Sequence, residues 1–177
     1  KNHDSGKTFK IIYKSLQNLG YTFDYKVIKA SEFGLPQHRP RSYKVGFYKP
    51  KLKNMFKELS FTFPREISLK KTMSDIFNGF VSKKLNTKNE RKVGFTLRVG
   101  GGKSPINDRR NWDGYFVNNK VVRVKPKQGL EMMGFPKSFK MPVSDNQAMK
   151  QLGNSVAVNV VKAIGVEIKY HLEKFSK

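Results

Sequence analysis

Gln151-Leu152-Gly153-Asn154-Ser155-Val156-Ala157-Val158-Asn159 is the stretch whose reading decides the rest of this chain. A Gly-Asn-Ser corner opens onto an apolar run. From Val156 the apolar residues return at Val160, Ile164, Ile168 and Leu172, the spacing of one buried helical face. Asn or Ser at a helix start accepts hydrogen bonds from the free backbone N–H groups there. The corner is therefore expected to cap a C-terminal helix. The same N–H groups favour anions and polar ligand edges, so a ligand-binding corner is the competing expectation.

Composition narrows the partners. Lys and Arg number 36 and Asp and Glu 13, a net charge of +23 on 177 residues. An excess of this size opposes a compact state by self-repulsion unless an anion relieves it. Nucleic acid is the leading partner, because Lys and Arg that neutralise phosphates release condensed counterions. A solvated, Lys-rich face is the plainer account of part of the excess. The hydrophobic fraction is 37% and includes 14 Phe and 7 Tyr, enough to build one core or two small ones. No apolar run approaches the length of a membrane span and no signal-peptide pattern is present, so the expectation is a cytoplasmic chain without a membrane partner. Cys is absent, which excludes a disulfide framework, a zinc ribbon or a thiolate nucleophile within this sequence. His3, His38 and His171 have no metal-ligand spacing, so no metal site is expected. The sequence opens on Lys1 rather than Met, and more sequence is expected upstream.

Taken in order, Asp4-Ser5-Gly6 offers caps and a turn. Phe9, Ile12, Leu16 and Leu19 follow helical spacing, and Gly20 is a natural stop. Tyr21–Ala30 and Ser42–Tyr48 read as strands. Between them lies Gln37-His38-Arg39-Pro40-Arg41, where the two guanidinium groups are expected to face opposite sides, one toward phosphate and the other toward a base or an acidic partner. Two solvated surface Arg are the alternative. Residues 49–92 say least: Phe56, Leu59, Phe61 and Phe63 must pack somewhere, Met73–Phe80 suits a short helix, and Lys83–Lys92 reads as a basic loop. Phe95–Val99 is expected to be a short strand. The following Gly100-Gly101-Gly102-Lys103-Ser104-Pro105 lacks the spacing of a Walker loop and suits close approach to DNA, with flanking Arg and Asn as groove readers. Trp112 reads as core. Tyr115–Val124 reads as a hairpin turning at Asn118-Asn119. Pro126 opens a short helix that Gly134 stops, and Ser144-Asp145 caps another, over Asn146–Leu152.

Three of these stretches, in this order, resemble the C-terminal half of a DNA (cytosine-5)-methyltransferase. Ala30-Ser31-Glu32-Phe33-Gly34-Leu35-Pro36-Gln37-His38-Arg39-Pro40-Arg41 is similar to the family's Gln-x-Arg-x-Arg block. Arg123-Val124-Lys125-Pro126 through Met133-Gly134-Phe135-Pro136 is similar to the block ending Gln-Gly-Phe-Pro. The opening stretch is similar to the final Gly-Asn-(Ala/Ser)-Val block. Thr96-Leu97 matches a Thr-Leu pair common in the family's target recognition domain. The second block departs from the pattern, with Pro126-Lys127-Gln128 where Pro-Arg-Glu is usual and Met133 where Gln is usual.

The resemblance implies an α/β fold. Residues 1–48 and 144–177 would be C-terminal pieces of a Rossmann-like S-adenosylmethionine-dependent catalytic domain, and 49–143 a small, mainly β target recognition domain. It implies double-stranded DNA as substrate, within a bacterial restriction-modification system and close to the nucleoid. The cofactor would be S-adenosylmethionine, touched by Asn154 and Ser155 with Gly153 allowing the turn. Arg41 would hold the carbonyl oxygen of a flipped cytosine, Arg39 would bind backbone phosphate or brace the loop, and Gln37 would line the cleft; the two Arg could exchange roles. Arg98, Gly101, Gly102, Lys103, Arg109, Arg110 and Asn111 would contact DNA, as base readers or phosphate contacts. The family's cofactor loop, Pro-Cys nucleophile and Glu-Asn-Val block have no counterpart in this sequence. The chain alone is thus expected to be inactive and to need an N-terminal catalytic half, on the same enzyme or a separate subunit. A non-catalytic DNA-binding module derived from such an enzyme is the alternative.

Overall fold

The computed structural model describes residues 6–52, 60–100 and 103–175. Contacts divide the chain into two compact units. One comprises Lys1–Val27, Ser42–Arg65 and Ala163–Lys177, and the other Ile28–Arg41 and Glu66–Lys162.

In the first unit, helix α1 (Lys7–Asn18) stops where Gly20 takes φ +82°, as its apolar spacing predicts. Its apolar side is held by rings: Phe9 lies 5.7 Å from Phe23 and 4.7 Å from Tyr25, and Tyr13 lies 5.2 Å from Phe23. No residue of α1 is fully buried, so one helical side remains uncovered. Strands β1 (Asp24–Lys29) and β2 (Pro40–Val45) pair in a two-stranded sheet. Both are shorter than the sequence spacing predicts, and β2 starts earlier, so Arg41 falls inside the strand. Beyond their ends, Tyr21 and Tyr48 still form an isolated antiparallel bridge. The last turns of helix α5 (Val158–Phe175) bring His171 into a ring cluster, stacked on Phe47 at 5.7 Å and 5.0 Å from Phe61. The Asp24 carboxylate accepts the Phe61 N–H at 2.9 Å, fixing that ring.

The second unit is built on a three-stranded antiparallel sheet: β3 (Val81–Ser82), β4 (Gly114–Val117) and β5 (Lys120–Arg123). The β4–β5 hairpin turns at Asn118 and Asn119, with φ of 46° and 61°, the paired left-handed geometry a two-residue hairpin needs. Helix α2 (Met73–Phe77) is closed by a capping box in which Thr72 and Asp75 exchange hydrogen bonds. Helix α3 (Pro126–Met133) starts on Pro and ends at Gly134, φ +80°, as predicted. Helix α4 (Asp145–Asn154) is capped by Ser144, whose hydroxyl accepts from the Gln147 N–H. The core gathers Met73, Ile76, Val81, Leu97, Trp112, Tyr115, Val124, Met132, Met133 and Leu152. Trp112 is core, as its sequence context suggests.

Three expectations change. Phe95–Val99 forms no strand: its only ladder contact is a single parallel bridge, Gln37 to the preceding Gly94. The Gly-Asn-Ser corner does not open the last helix. Gly153 and Asn154 are the final residues of α4, the Ser155 N–H donates to Gln151 O at 2.9 Å, and the Ser155 hydroxyl donates to Leu152 O at 3.0 Å. A hydroxyl that satisfies a terminal carbonyl closes a helix rather than starting one. Finally, the buried stripe of α5 runs Val160, Ile164, His171; Val156 and Leu172 are about half exposed, at 50% and 46%. A period of 3.6 over this length shifts the buried position from 172 to 171.

Candidate active-site and DNA-contact residues

The segment that carries Gln37 and Arg39 is set rigidly before either side chain acts. Gly94 accepts from the His38 N–H at 2.8 Å and donates to Pro36 O at 2.9 Å. A Cβ on Gly94 would lie 2.6 Å from Met73 Sδ, so the backbone sits directly on the core. The Thr96 hydroxyl donates to the His38 carbonyl and ties the same two strands of chain together.

Gln37 is fully enclosed, at 0% exposure. Its amide donates to Met132 O at 3.3 Å and contacts Met133 Sδ at 3.2 Å, while its carbonyl oxygen accepts from the Leu97 N–H and Arg39 Nη1, each at 3.4 Å. Arg39, at 2% exposure, spends its fork on main-chain carbonyls: Nη1 on Leu97 O at 3.0 Å, Nη2 on Gly153 O at 2.7 Å and Ser155 O at 2.6 Å. Charge-assisted bonds of this length are the strong class. Arg39 therefore braces the chain, and of its two expected roles the phosphate contact is closed to it by burial. Arg41 is different. It is half-buried, and its one described bond, Nη1 to Pro40 O at 2.8 Å, leaves most of the guanidinium available. In a regular strand, residues two apart share a face. The two Arg separate because Arg39 lies in the irregular run before β2 and Arg41 within it.

At the corner, Gly153 serves packing. A Cβ there would stand 2.7 Å from Arg98 C and 2.8 Å from Val99 N, both backbone atoms that cannot move aside. Asn154 is exposed at the end of α4, and Val156 beside it is 50% exposed. Ser155 is half-buried and keeps acceptor capacity after donating to Leu152.

Of the expected DNA contacts, Gly101 and Gly102 lie outside the described residues. Arg98, Lys103 and Arg109 are exposed. Lys103 takes φ +71°, held by its N–H on Asp113 Oδ2 at 3.1 Å. Arg110 is exposed but forks onto Asp108, with Nη2 to Oδ2 at 2.7 Å and Nε to Oδ1 at 3.1 Å. That guanidinium holds the Asp108 carboxyl down at about 2. Asn111 is a correction: it is 4% exposed, and its amide closes on Gly114 in both directions, donating to O at 2.9 Å and accepting from N–H at 3.1 Å. With both ends used inside the fold it cannot read a base. Asp113, at 5% exposure, is paired with Arg123 at 2.9 Å. The Tyr115 hydroxyl, pushed up to about 12 by burial, donates to Trp112 O and accepts the Phe95 N–H.

One cluster was missed from the sequence. Lys83 and Arg91 share the Phe95 ring, with Lys83 Nζ 5.0 Å and Arg91 Cζ 3.9 Å from its centroid. The signal was present in the basic residues at the two ends of Lys83–Lys92. What hid it was that the ring they share lies beyond the loop.

The chain shares its fold with solved structures of methyltransferases. The chain superposes on a DNMT2 mutant from Spodoptera frugiperda with a TM-score of 0.63 at 17% identity, over 92% of this chain and 62% of that one. It also superposes on a putative DNA modification methyltransferase encoded within an E. coli prophage, with a TM-score of 0.64 at 17% identity, over 97% of this chain and 66% of that one. At that identity the likeness establishes the fold. The family is established by sequence. The model of the C-5 cytosine-specific DNA methylases matches residues 1–121 and 102–170, and the chain belongs to that family. It is 35% identical to the Type II methyltransferase M.SsoII of Shigella sonnei, over 94% of this chain and 49% of the relative. It is 33% identical to M1.ScrFI of Lactococcus lactis subsp. cremoris, over 100% of this chain and 51% of the relative. The chain thus spans about half the length of the curated relatives it matches.

Proposed function

We propose that this chain is the C-terminal portion of a restriction-modification DNA (cytosine-5)-methyltransferase, supplying DNA recognition, the contact to a flipped cytosine and one edge of the S-adenosylmethionine site. The observation that carries this is the Gln37–Arg39 network. Residues of the first sequence block bond to Met132 of the second, to Leu97 of the Thr-Leu pair and to Gly153 and Ser155 of the last. Three stretches that resemble the family in order along the chain converge on the buried Gln37–Arg39 pair, the second block through Gln37 and the last through Arg39, as expected if they form one functional assembly.

S-adenosylmethionine, when bound, supplies the electrophilic methyl group. Asn154 and Ser155 would touch it, and Gly153 would hold their backbone against Arg98 and Val99. Arg41 binds the carbonyl oxygen of the extruded cytosine and stabilises charge that develops on the ring. Arg39 keeps Arg41 and the corner in register by holding the segment before β2. Arg98, Lys103 and Arg109 meet the duplex. The Cys thiolate that adds to the cytosine ring and the rest of the cofactor pocket would come from an N-terminal catalytic half. The small domain for recognition is assigned to residues 49–143, and the catalytic-domain pieces to 1–48 and 144–177.

Mixing this chain with a matched N-terminal half that bears the Pro-Cys block, and following labelled methyl transfer to DNA, tests the reading. Transfer is expected with the pair and with neither part alone. Arg41→Ala is expected to abolish transfer while sparing DNA binding. Wild-type transfer by Arg41→Ala would remove its assigned role. Failure with every matched half would leave a non-catalytic DNA-binding module.

A further inference from the structure

The loop that joins β3 to Gly94 is held in one shape by its own bonds. The Arg91 N–H donates to Val81 O at 2.7 Å, the Ser82 hydroxyl to Lys84 O at 2.8 Å, and the Asn86 N–H to Asn119 Oδ1 at 2.9 Å. It borders an open surface pocket of about 260 Å³ lined by Lys83, Lys84, Thr87, Asn89, Glu90 and Arg91. Every one of these side chains carries a hydrogen-bonding group, and three carry positive charge against one carboxylate.

The charges are badly matched within the chain. Lys83 and Arg91 converge on one ring, Phe95, and neither makes an ion pair among the described residues. The buried Asp113 carboxylate, which acts on Lys83, is already paired with Arg123 at 2.9 Å and accepts the Lys103 N–H. Glu90 is exposed at the rim and makes no described ion pair. Arg91 Nε is buried with no hydrogen-bond partner. Burial first, and the Arg91 cation second, depress the Lys83 ammonium below its usual range. Two like charges held against one aromatic ring, with a buried donor unused, form an arrangement that an anion relieves and a neutral ligand does not.

We infer that Lys83, Arg91 and Phe95 form a phosphate-binding site for the DNA backbone, separate from the Arg98–Arg110 contacts assigned above. This rests on the DNA-methyltransferase reading for the identity of the polyanion. A phosphate oxygen between the ammonium and the guanidinium takes one donor from each, and Phe95 fixes the height of both cations. Asn89 and Thr87 flank the anion. The consequence is a contact that adds affinity without adding sequence preference.

The test is binding of the full 177-residue chain to labelled duplexes by fluorescence anisotropy, over a salt series from about 50 to 200 mM. The duplexes are a panel of unrelated sequences. Wild type, Lys83→Gln, Arg91→Gln and Lys127→Gln are compared, the last as a surface-charge control outside the loop. Each of the two loop variants is expected to weaken binding roughly threefold to tenfold on every duplex and to reduce the slope of log K against log salt by about 0.9. Lys127→Gln is expected to leave the slope at the wild-type value. Wild-type slopes in both loop variants would overturn the site. So would a loss confined to one sequence, which is the mark of a base reader, or a wild-type chain with no duplex binding at low salt. Phe95→Leu keeps the charges and removes the ring, and is expected to show an intermediate loss if the ring positions them. Because the methyl-transfer assay has an independent readout, failure here with transfer intact removes only this site.

Discussion

Arg39 and Arg41 are one residue type two positions apart, and their surroundings give them opposite work. Arg39, at 2% exposure, supplies charge-assisted bonds to three carbonyls. Arg39→Met keeps much of the volume and leaves those carbonyls unsatisfied, at about 1–3 kcal/mol each and less than additively. Unfolding in urea, followed by the buried Trp112, is expected to show a loss on the order of 3–5 kcal/mol. Arg41→Met, which gives up one bond to Pro40, is expected to lose less than about 1 kcal/mol. Similar losses for both would mean that the Arg39 network carries little energy. At this scale the sequence offered two guanidinium groups facing opposite sides at 39 and 41, or two solvated Arg, with the roles open to exchange. It could not show which was buried, because that depends on carbonyls contributed from Leu97, Gly153 and Ser155, at separations of 58, 114 and 116 positions.

Elements whose stop and start signals are local were legible. Helix α1 ends at Gly20, α3 begins on Pro126 and ends at Gly134, and the hairpin turns at Asn118-Asn119, all through residues whose backbone preferences act without help. The Gly153–Ser155 corner misled because Gly, Asn and Ser suit both ends of a helix, and only the partner of the Ser155 hydroxyl decides which. Strand β3 has two residues and no pattern to read. Asn118 and Asn119 do more than turn. Asn118 Oδ1 accepts the Phe80 N–H, and Asn119 Oδ1 the Asn86 N–H, both at 2.9 Å. Asn-Gly is the preferred pair for this turn, so propensity alone would have Asn119→Gly stabilise it. The expected outcome is the reverse: a loss of roughly 0.5–1 kcal/mol, since the Asn86 N–H loses its partner. Equilibrium unfolding reads the stability, and hydrogen exchange at the Asn86 amide should speed up in the variant. A gain in stability would show that the brace on the Lys83–Lys92 loop is idle.

For the molecule as a whole, +23 charges and an uncovered apolar side have to be accounted for together. Charge predicts a polyanion and says nothing about protein partners. In the first unit, Ile11 is 65% exposed, Tyr25 56% and Val27 46%, and Phe9, Ile12, Tyr25 and Val27 line a groove of about 400 Å³ with Thr8, Ser42 and Lys44. Half-exposed apolar residues on adjoining elements, gathered around one groove, are the kind of surface suited to a partner. Under the proposed function that partner is the N-terminal catalytic half, which the length of the relatives accommodates. Val27 stands on β1 with its side chain half free, so a carboxylate there is tolerated in water and costly under a partner. Val27→Asp is therefore expected to leave the melting temperature of this chain within a few degrees, and to reduce methyl transfer by the mixed halves at least tenfold. Raising the concentration of the N-terminal half should recover much of the loss, because the defect is in assembly and not in chemistry. Arg41→Ala should show no such recovery. A Val27→Asp chain that assembles and methylates like wild type would mean that the groove faces solvent in the complete enzyme, and the apolar surface would then need another occupant.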